Sequence, residues 1–158
     1  MGDIAEGKFE EWSKNNFVRY GLNRPPLATW RLPERVRFTP DYLTTNCLVE
    51  VQGFGKKQII HMKPDKWEAL LWWDRNVMPV ELFLYDSHND RQLMFPIKKL
   101  RPFVDNAEIG TFPEGNKYYA IKAHQWKHSY PAHLLKILKN QFQNKWNYVT
   151  LLQMRWMN

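Results

Sequence analysis

Apolar positions along this chain recur with two periods, and each period places an element. Phe9, Trp12, Phe17 and Tyr20 fall at near-helical intervals, which predicts an amphipathic helix from Asp3 to about Tyr20. Asp3 followed by Glu6 has the spacing of a capping box at its start. Gly21, Pro25, Pro26 and Pro33 then break any regular pattern and predict a loop from Gly21 to Pro33. In Arg35 to Leu43, Val36 and Phe38 alternate with Arg35 and Arg37, the period of a strand, ended or kinked by Pro40. A second strand is expected from Cys47 to about Gln52, after a turn at Thr44 to Asn46. Pro64 suits the first turn of a helix running to Asp74, with Trp67, Leu70 and Leu71 on one face.

Further along, Val80 to Tyr85 reads as the most apolar strand, and Gln92 to Ile97 as another, with Pro96 assigning it to a sheet edge. Lys98 to Phe103 is short and ambiguous. Lys117 to Ala123 reads as a strand and Pro131 to about Val149 as a helix, with Leu134, Leu135, Leu138, Phe142, Trp146 and Val149 on one side. Helix, two strands, helix, strand is an α/β order, although the direction of each strand is not encoded in the pattern.

Length and composition narrow the class. The chain has 158 residues, 44% of them hydrophobic, enough for one self-sufficient core. One cysteine, Cys47, excludes an internal disulfide framework and a cysteine-based zinc cluster. Ala69 to Trp73, the longest apolar run, is far too short to span a membrane. The opening MGDIAEGKFEEW lacks the apolar stretch of a signal peptide, and Glu6 stands where a myristoylation signal needs Ser or Thr. A reducing, cytoplasmic setting is therefore expected.

Charge is placed unevenly. No acidic residue follows Glu114, whereas Lys117, Lys122, Lys127, Lys136, Lys139, Lys145 and Arg155 do, so the net charge of +7 sits entirely in the C-terminal stretch. The division expected is a core over residues 1–114 and a basic, aromatic region over 115–158. That region, packed on the core or used for DNA binding or dimerisation, has the make-up of a polyanion-binding extension. Aromatic rings including Tyr118, Tyr119, Trp126 and Tyr130 interleave with its cations, a pattern suited to stacking on unpaired bases while Lys neutralises phosphates. Lys117, Lys122, Lys127 and Trp126 are the expected nucleic-acid contacts there. His124, His128 and His133 have no Cys or carboxylate near them in sequence, so they read as phosphate or solvent contacts rather than zinc ligands.

The stretch that carries chemistry is Arg37 to Gly55, RFTPDYLTTNCLVEVQGFG. Strand alternation sends Cys47, Val49 and Val51 into a core and Leu48, Glu50 and Gln52 to the opposite face. Alone, Asp41 would be a turn residue after proline and Glu50 a solvent-facing strand residue. Brought together, two carboxylates repel unless a cation settles between them. A hard divalent ion prefers oxygen ligands, polarises a phosphodiester and generates hydroxide from bound water.

Pro40-Asp41, a short gap, then Glu50-x-Gln52 resembles the signature of the PD-(D/E)XK nuclease superfamily. The flanking TPDYL and LVEVQG look especially like phage endonuclease I and related Holliday-junction resolvases. The resemblance covers roughly the first 85 residues. It implies a restriction-endonuclease-like mixed β-sheet flanked by helices, here with a basic C-terminal extension. It implies Mg²⁺ or Mn²⁺ held by Asp41 and Glu50 with the carbonyl of Val51, and Glu6 on the first helix binding a second metal or reaching the first through water. It further implies Glu6, Asp41, Glu50 and Gln52 as catalytic residues, DNA as partner, and a homodimer, since two cuts need two sites. The chain departs from the pattern at Gln52, where the family has Lys; Gln keeps two donors but carries no charge. Lys56 and Lys57, just past the Gly53–Gly55 turn, are candidates to lend a cation to the phosphate.

Two other classes fit the same residues. One is a non-catalytic nucleic-acid-binding protein on this scaffold, with Gln52 marking lost activity. The other is a protein-interaction factor using the aromatic basic tail.

Overall fold

The computed structural model describes residues 2–14, 16–22 and 31–123. A compact unit extends through Ala123. The helix expected from Pro131 to Val149, and the rest of the tail from residue 124, lie outside the described residues.

Helix α1 spans Gly2–Ser13, with Ala5, Phe9 and Ser13 buried. It ends well before Tyr20, because Lys14 turns into the left-handed region at φ 51° and the chain continues as strand β1, Val18–Arg19. Phe17 falls at helical spacing from Phe9 yet packs against the same core from beyond the helix end. Asp3 lies inside the first turn rather than at the N-cap position the capping box would need, and Glu6 Oε2 accepts a bond from Arg19 Nη1 at 3.1 Å.

The strand expected over Arg35–Leu43 divides in two. Glu34–Arg37 is a single helical turn, α2, that follows Pro33, and only Tyr42–Leu43 is strand, β2. Val36 and Phe38 did not mark a sheet face; Val36 is exposed, and tertiary partners stabilise the turn. Trp73 Nε1 donates to the Arg35 carbonyl at 2.9 Å, and the Arg35 guanidinium lies 4.7 Å from the centre of the Trp72 ring.

Thr44 makes the turn its position predicts: its N–H and hydroxyl both bond the Cys47 carbonyl. Strand β3 follows at Leu48–Phe54. Strand β4, Ile59–Met62, leaves for a second sheet before helix α3, Pro64–Asn76, which has proline in its first turn as expected. Strand β5, Val80–Asp86, returns parallel to β3, and β6, Arg91–Pro96, pairs with β5 antiparallel.

The result is a mixed five-stranded sheet in the order β1-β2-β3-β5-β6, with β6 at the edge that Pro96 implied. Helix α1 covers one face, burying Phe9 with Tyr42, Val49, Val51, Phe83 and Tyr85. Helix α3, with Trp67, Ala69, Leu70 and Leu71 buried, packs on the other side. Strands β3 and β5 are therefore covered on both faces, which is why both read as nearly continuous apolar runs.

Ile97–Leu100 forms a 3-10 turn and Arg101–Asp105 a short helix, α4. A second sheet, β4-β8-β7, is built from β4, β7 at Glu108–Thr111 and β8 at Lys117–Lys122. Because β8 is its central strand, residues 117–123 belong to the folded unit, and the expected boundary at Glu114 moves to Ala123. Among the described residues, no helix is long and apolar enough to cross a membrane.

Phe9 is wholly buried, with ring centroids 4.7 Å from Tyr42 and 5.3 Å from Phe83. Phe9→Ala should lower unfolding free energy by about 3–5 kcal/mol, read from urea titrations. A loss under about 1 kcal/mol would show that α1 is not integral to this core.

Candidate active site

Asp41 is placed by backbone rather than by chance proximity. The N–H groups of Tyr20 and Gly21 both donate to its carbonyl, at 2.9 and 3.1 Å. Gly21 has to be glycine for this approach, since a Cβ there would sit 2.9 Å from the Pro40 oxygen and 3.1 Å from the Asp41 Cα. The β2–β3 register pairs Tyr42 with Val49 and Leu43 with Leu48. Continued by one residue, it sets Asp41 opposite Glu50. Where the ladder stops, the Asp41 side chain replaces it: Oδ2 accepts the Val51 N–H at 2.8 Å.

Glu50 is fully buried in the middle of β3, paired with Leu82 of β5. It points away from α1, on the opposite face from Val49 and Val51, as strand alternation predicts. The ordinary alternative for this residue, a solvent-facing strand position, is excluded. Lys66, the third residue of α3, ion-pairs with Glu50 Oε1 while its own side chain remains 30% exposed. Lys66 is the partner of Oε1, and among the described residues Oε2 is buried without a hydrogen-bond partner.

The electrostatics follow from this arrangement. Burial drives the Glu50 carboxyl up to about 8, Lys66 opposes the rise, and the Asp41 charge adds to it. Burial likewise raises Asp41, against Lys66 and the Val51 N–H. Lys66 itself is lifted above its ordinary value, because its burial is outweighed by Glu50 and Asp41. Two carboxyls and an ammonium thus act strongly on one another's ionisation.

Glu6 acts on both carboxylates through its charge, but its carboxylate is held by Arg19, which also ion-pairs with Glu10. Tyr42 OH donates to the same Glu10 at 2.8 Å. Glu6 is therefore tied into a surface network beside the pair. Among the described residues, no three His, Cys, Asp or Glu side chains gather closely enough to hold a metal ion together.

Gln52 shares the Glu50 face in the alternation, yet its Nε2 donates to the His61 carbonyl at 2.8 Å, tying β3 to β4. Lys56 and Lys57 are exposed in the β3–β4 turn, and neither ranks among the charges acting on Asp41 or Glu50. Lys117 is exposed at the start of β8, and Lys122 pairs with Glu108 at 2.9 Å. Trp126 and Lys127 lie outside the described residues.

The residue that sequence reasoning missed is Lys66. The resemblance implies a cation at the position two after the glutamate; the cation beside Glu50 comes instead from the first turn of α3. Its only sequence signal is its place in the first turn of that helix.

Two oxygen donors of the kind a divalent cation prefers are present here. Asp41 and Glu50 are hard oxygen donors brought opposite each other, and the Glu50 Oε2 is a buried acceptor without a hydrogen bond. Compared with known proteins, the chain matches no protein-family model and no curated sequence.

A carboxyl that ionises near pH 8 when folded, and near 4.5 when unfolded, holds its proton in this interval only in the folded state. Its contribution to stability is therefore complete below pH 4.5 and is lost as pH rises through about 8. The melting temperature should fall across that interval, and Glu50→Gln should flatten the dependence. An unchanged slope in the variant would assign the titration elsewhere.

Proposed function

We propose that this protein is a metal-dependent DNA endonuclease that hydrolyses phosphodiester bonds, acting on branched or otherwise structured DNA. The observation that carries this reading is the fully buried Glu50 set opposite the half-buried Asp41, with Lys66 against them. Structural carboxylates are seldom placed opposite each other in a core, because burial and repulsion both oppose it. Such an arrangement is favoured where a reaction uses the charges. The order helix, antiparallel strands, helix, parallel strand around this pair is consistent with a restriction-endonuclease-like fold and with the PD-(D/E)XK resemblance.

In this reading Asp41 and Glu50 hold Mg²⁺ or Mn²⁺, with the Val51 carbonyl as a further oxygen ligand. The ion, when bound, supplies Lewis acidity at the phosphate and lowers the pKa of water. The chain's own residues do the rest. Asp41, fixed by three N–H groups, presents its second oxygen with little conformational freedom to lose. Lys66 stands at the solvent edge of the pair, so its ammonium can face both the carboxylates and an approaching phosphate. It takes the role the resemblance assigns to the residue at Gln52, steadying charge on the phosphate oxygens as water adds to phosphorus and the bond to the leaving oxygen breaks. Gln52 holds β4 in place. Glu6 and its Arg19 partner border the site and set its field.

The strand grip is assigned to exposed lysines, including Lys56, Lys57 and Lys117, and to the basic region beyond Ala123 with Trp126 and Lys127. Paired cuts across a junction call for two copies of the chain, hence a homodimer.

Purified protein should nick supercoiled plasmid with Mg²⁺ or Mn²⁺ and stop on chelation. Asp41→Asn and Glu50→Gln should each reduce nicking by at least about 100-fold, and Lys66→Met by about 100- to 1,000-fold. Gln52→Ala should stay within about threefold, since it bears no catalytic charge. DNA affinity should fall steeply with salt as counterions are released. DNA binding without cleavage by the unaltered protein would leave a non-catalytic binder; Gln52→Ala matching Lys66→Met would return the cationic role to the strand position.

A further inference from the structure

The second sheet carries a feature that the hydrolytic site does not use. Strand alternation in β8 turns Ile121 inward, where it is buried, as are Ile60 and Met62 of β4 and Ala123 just past the end of β8. The same alternation turns Tyr118 outward, and the registers place it beside Gly110 of β7 and near His61 of β4. There Tyr118 forms a layer of rings, with centroids 4.2 Å from His61 and 4.4 Å from Phe112. Tyr118 also lies directly over Gly110: a Cβ on that residue would meet the ring at 2.3 Å. Glycine thus lets one aromatic ring lie down on the sheet.

Charge around this layer has one dominant sign. Lys63 lies 5.6 Å from the centre of the Phe112 ring, Lys57 acts on His61, and Lys117 is exposed at the head of β8. Of the two carboxylates of the β7–β8 hairpin, Glu108 is paired with Lys122 and Glu114 is at the turn. Burial and Lys57 both hold His61 below its ordinary pKa, so it presents a neutral ring at neutral pH. The layer is also joined to the candidate active site. Gln52 bonds the His61 carbonyl, and one helical turn leads from Lys63, at the N-cap of α3, to Lys66.

We propose that the outer face of the β4-β8-β7 sheet binds unpaired DNA bases, stacking them on Tyr118, His61 and Phe112 while Lys57, Lys63 and Lys117 meet the flanking phosphates. Flat rings accept any base through its π-face, and the cations complement the backbone. The inference rests on the nuclease reading and deepens it: the structural element recognised would be a single-stranded flap, fork or open junction arm, held beside the scissile strand.

The test uses fluorescence anisotropy in EDTA, so that no cleavage intervenes, on labelled oligo-dT and on a fully paired duplex. Tyr118→Leu should weaken oligo-dT binding about tenfold or more while changing duplex binding about twofold at most. Tyr118→Phe should retain affinity. Gly110→Ala, which keeps every ring but displaces Tyr118, should reproduce the loss. Circular dichroism and melting of each variant confirm that the fold is kept. Photocrosslinking of iododeoxyuridine oligonucleotides, mapped by mass spectrometry, should identify Tyr118, His61 or Phe112. Equal losses on both DNAs, no loss on either, or crosslinks confined elsewhere would overturn the platform. If plasmid nicking persists in those cases, the nuclease reading stands without it. If the unaltered protein neither binds DNA nor nicks it, both fail.

Discussion

A carboxylate buried in a sheet is the constraint around which this molecule is arranged. Glu50 has no exposed surface, and taking its charge out of water is costly unless something compensates. Compensation comes from Lys66, which crosses from α3, and is countered by Asp41 across the hairpin. The position is thus held in tension, with burial and one neighbour favouring the proton and the other neighbour favouring the charge. A wholly structural core would place an aliphatic residue here, as it does at Leu48 and Leu82. Keeping a carboxylate in that place is consistent with a role for its charge.

The rest of the fold maintains the relation. Helix α1 seals the opposite face of β3 with Ala5 and Phe9, so Val49 and Val51 fix the rotation of the strand and hence the direction of Glu50. The N–H groups of Tyr20 and Gly21 hold the Asp41 backbone, and that of Val51 holds its side chain. Arg19, at the end of β1, neutralises Glu6 and Glu10 on α1 and lies 5.4 Å from the centre of the Tyr42 ring. The second sheet is connected through Gln52, so its ring-covered face and the carboxylate pair share one support.

Local pattern was informative wherever one physical requirement dominated. Pro64 opened α3, Thr44 made its turn, Pro96 stood on an edge strand, and alternation along β3 separated Val49 and Val51 from Glu50 correctly. It misled where two requirements coincided. Phe17 lies at helical spacing from Phe9, although the chain has already left the helix; the core attracts apolar side chains regardless of the element that delivers them. Val36 and Phe38 alternate as strand residues do, yet contacts with Trp72 and Trp73 hold that segment as a helical turn. Strands β4 and β7 are only four residues each, and β4 pairs with the distant β8, which leaves little periodic signal to read.

By itself, the sequence determined the α/β class, the helix–strand–helix–strand order, and the two acidic residues whose spacing sets them across one hairpin. Those follow from periods of a few residues and from the stereochemistry of proline, all local properties of the chain. Only the tertiary structure decided that Glu50 is buried, that Arg19 takes up Glu6, that Gln52 serves the second sheet, and that the cation facing the carboxylates is Lys66. These relations join residues on separate elements, and their energies depend on distance and solvent exposure, which are set when the layers pack.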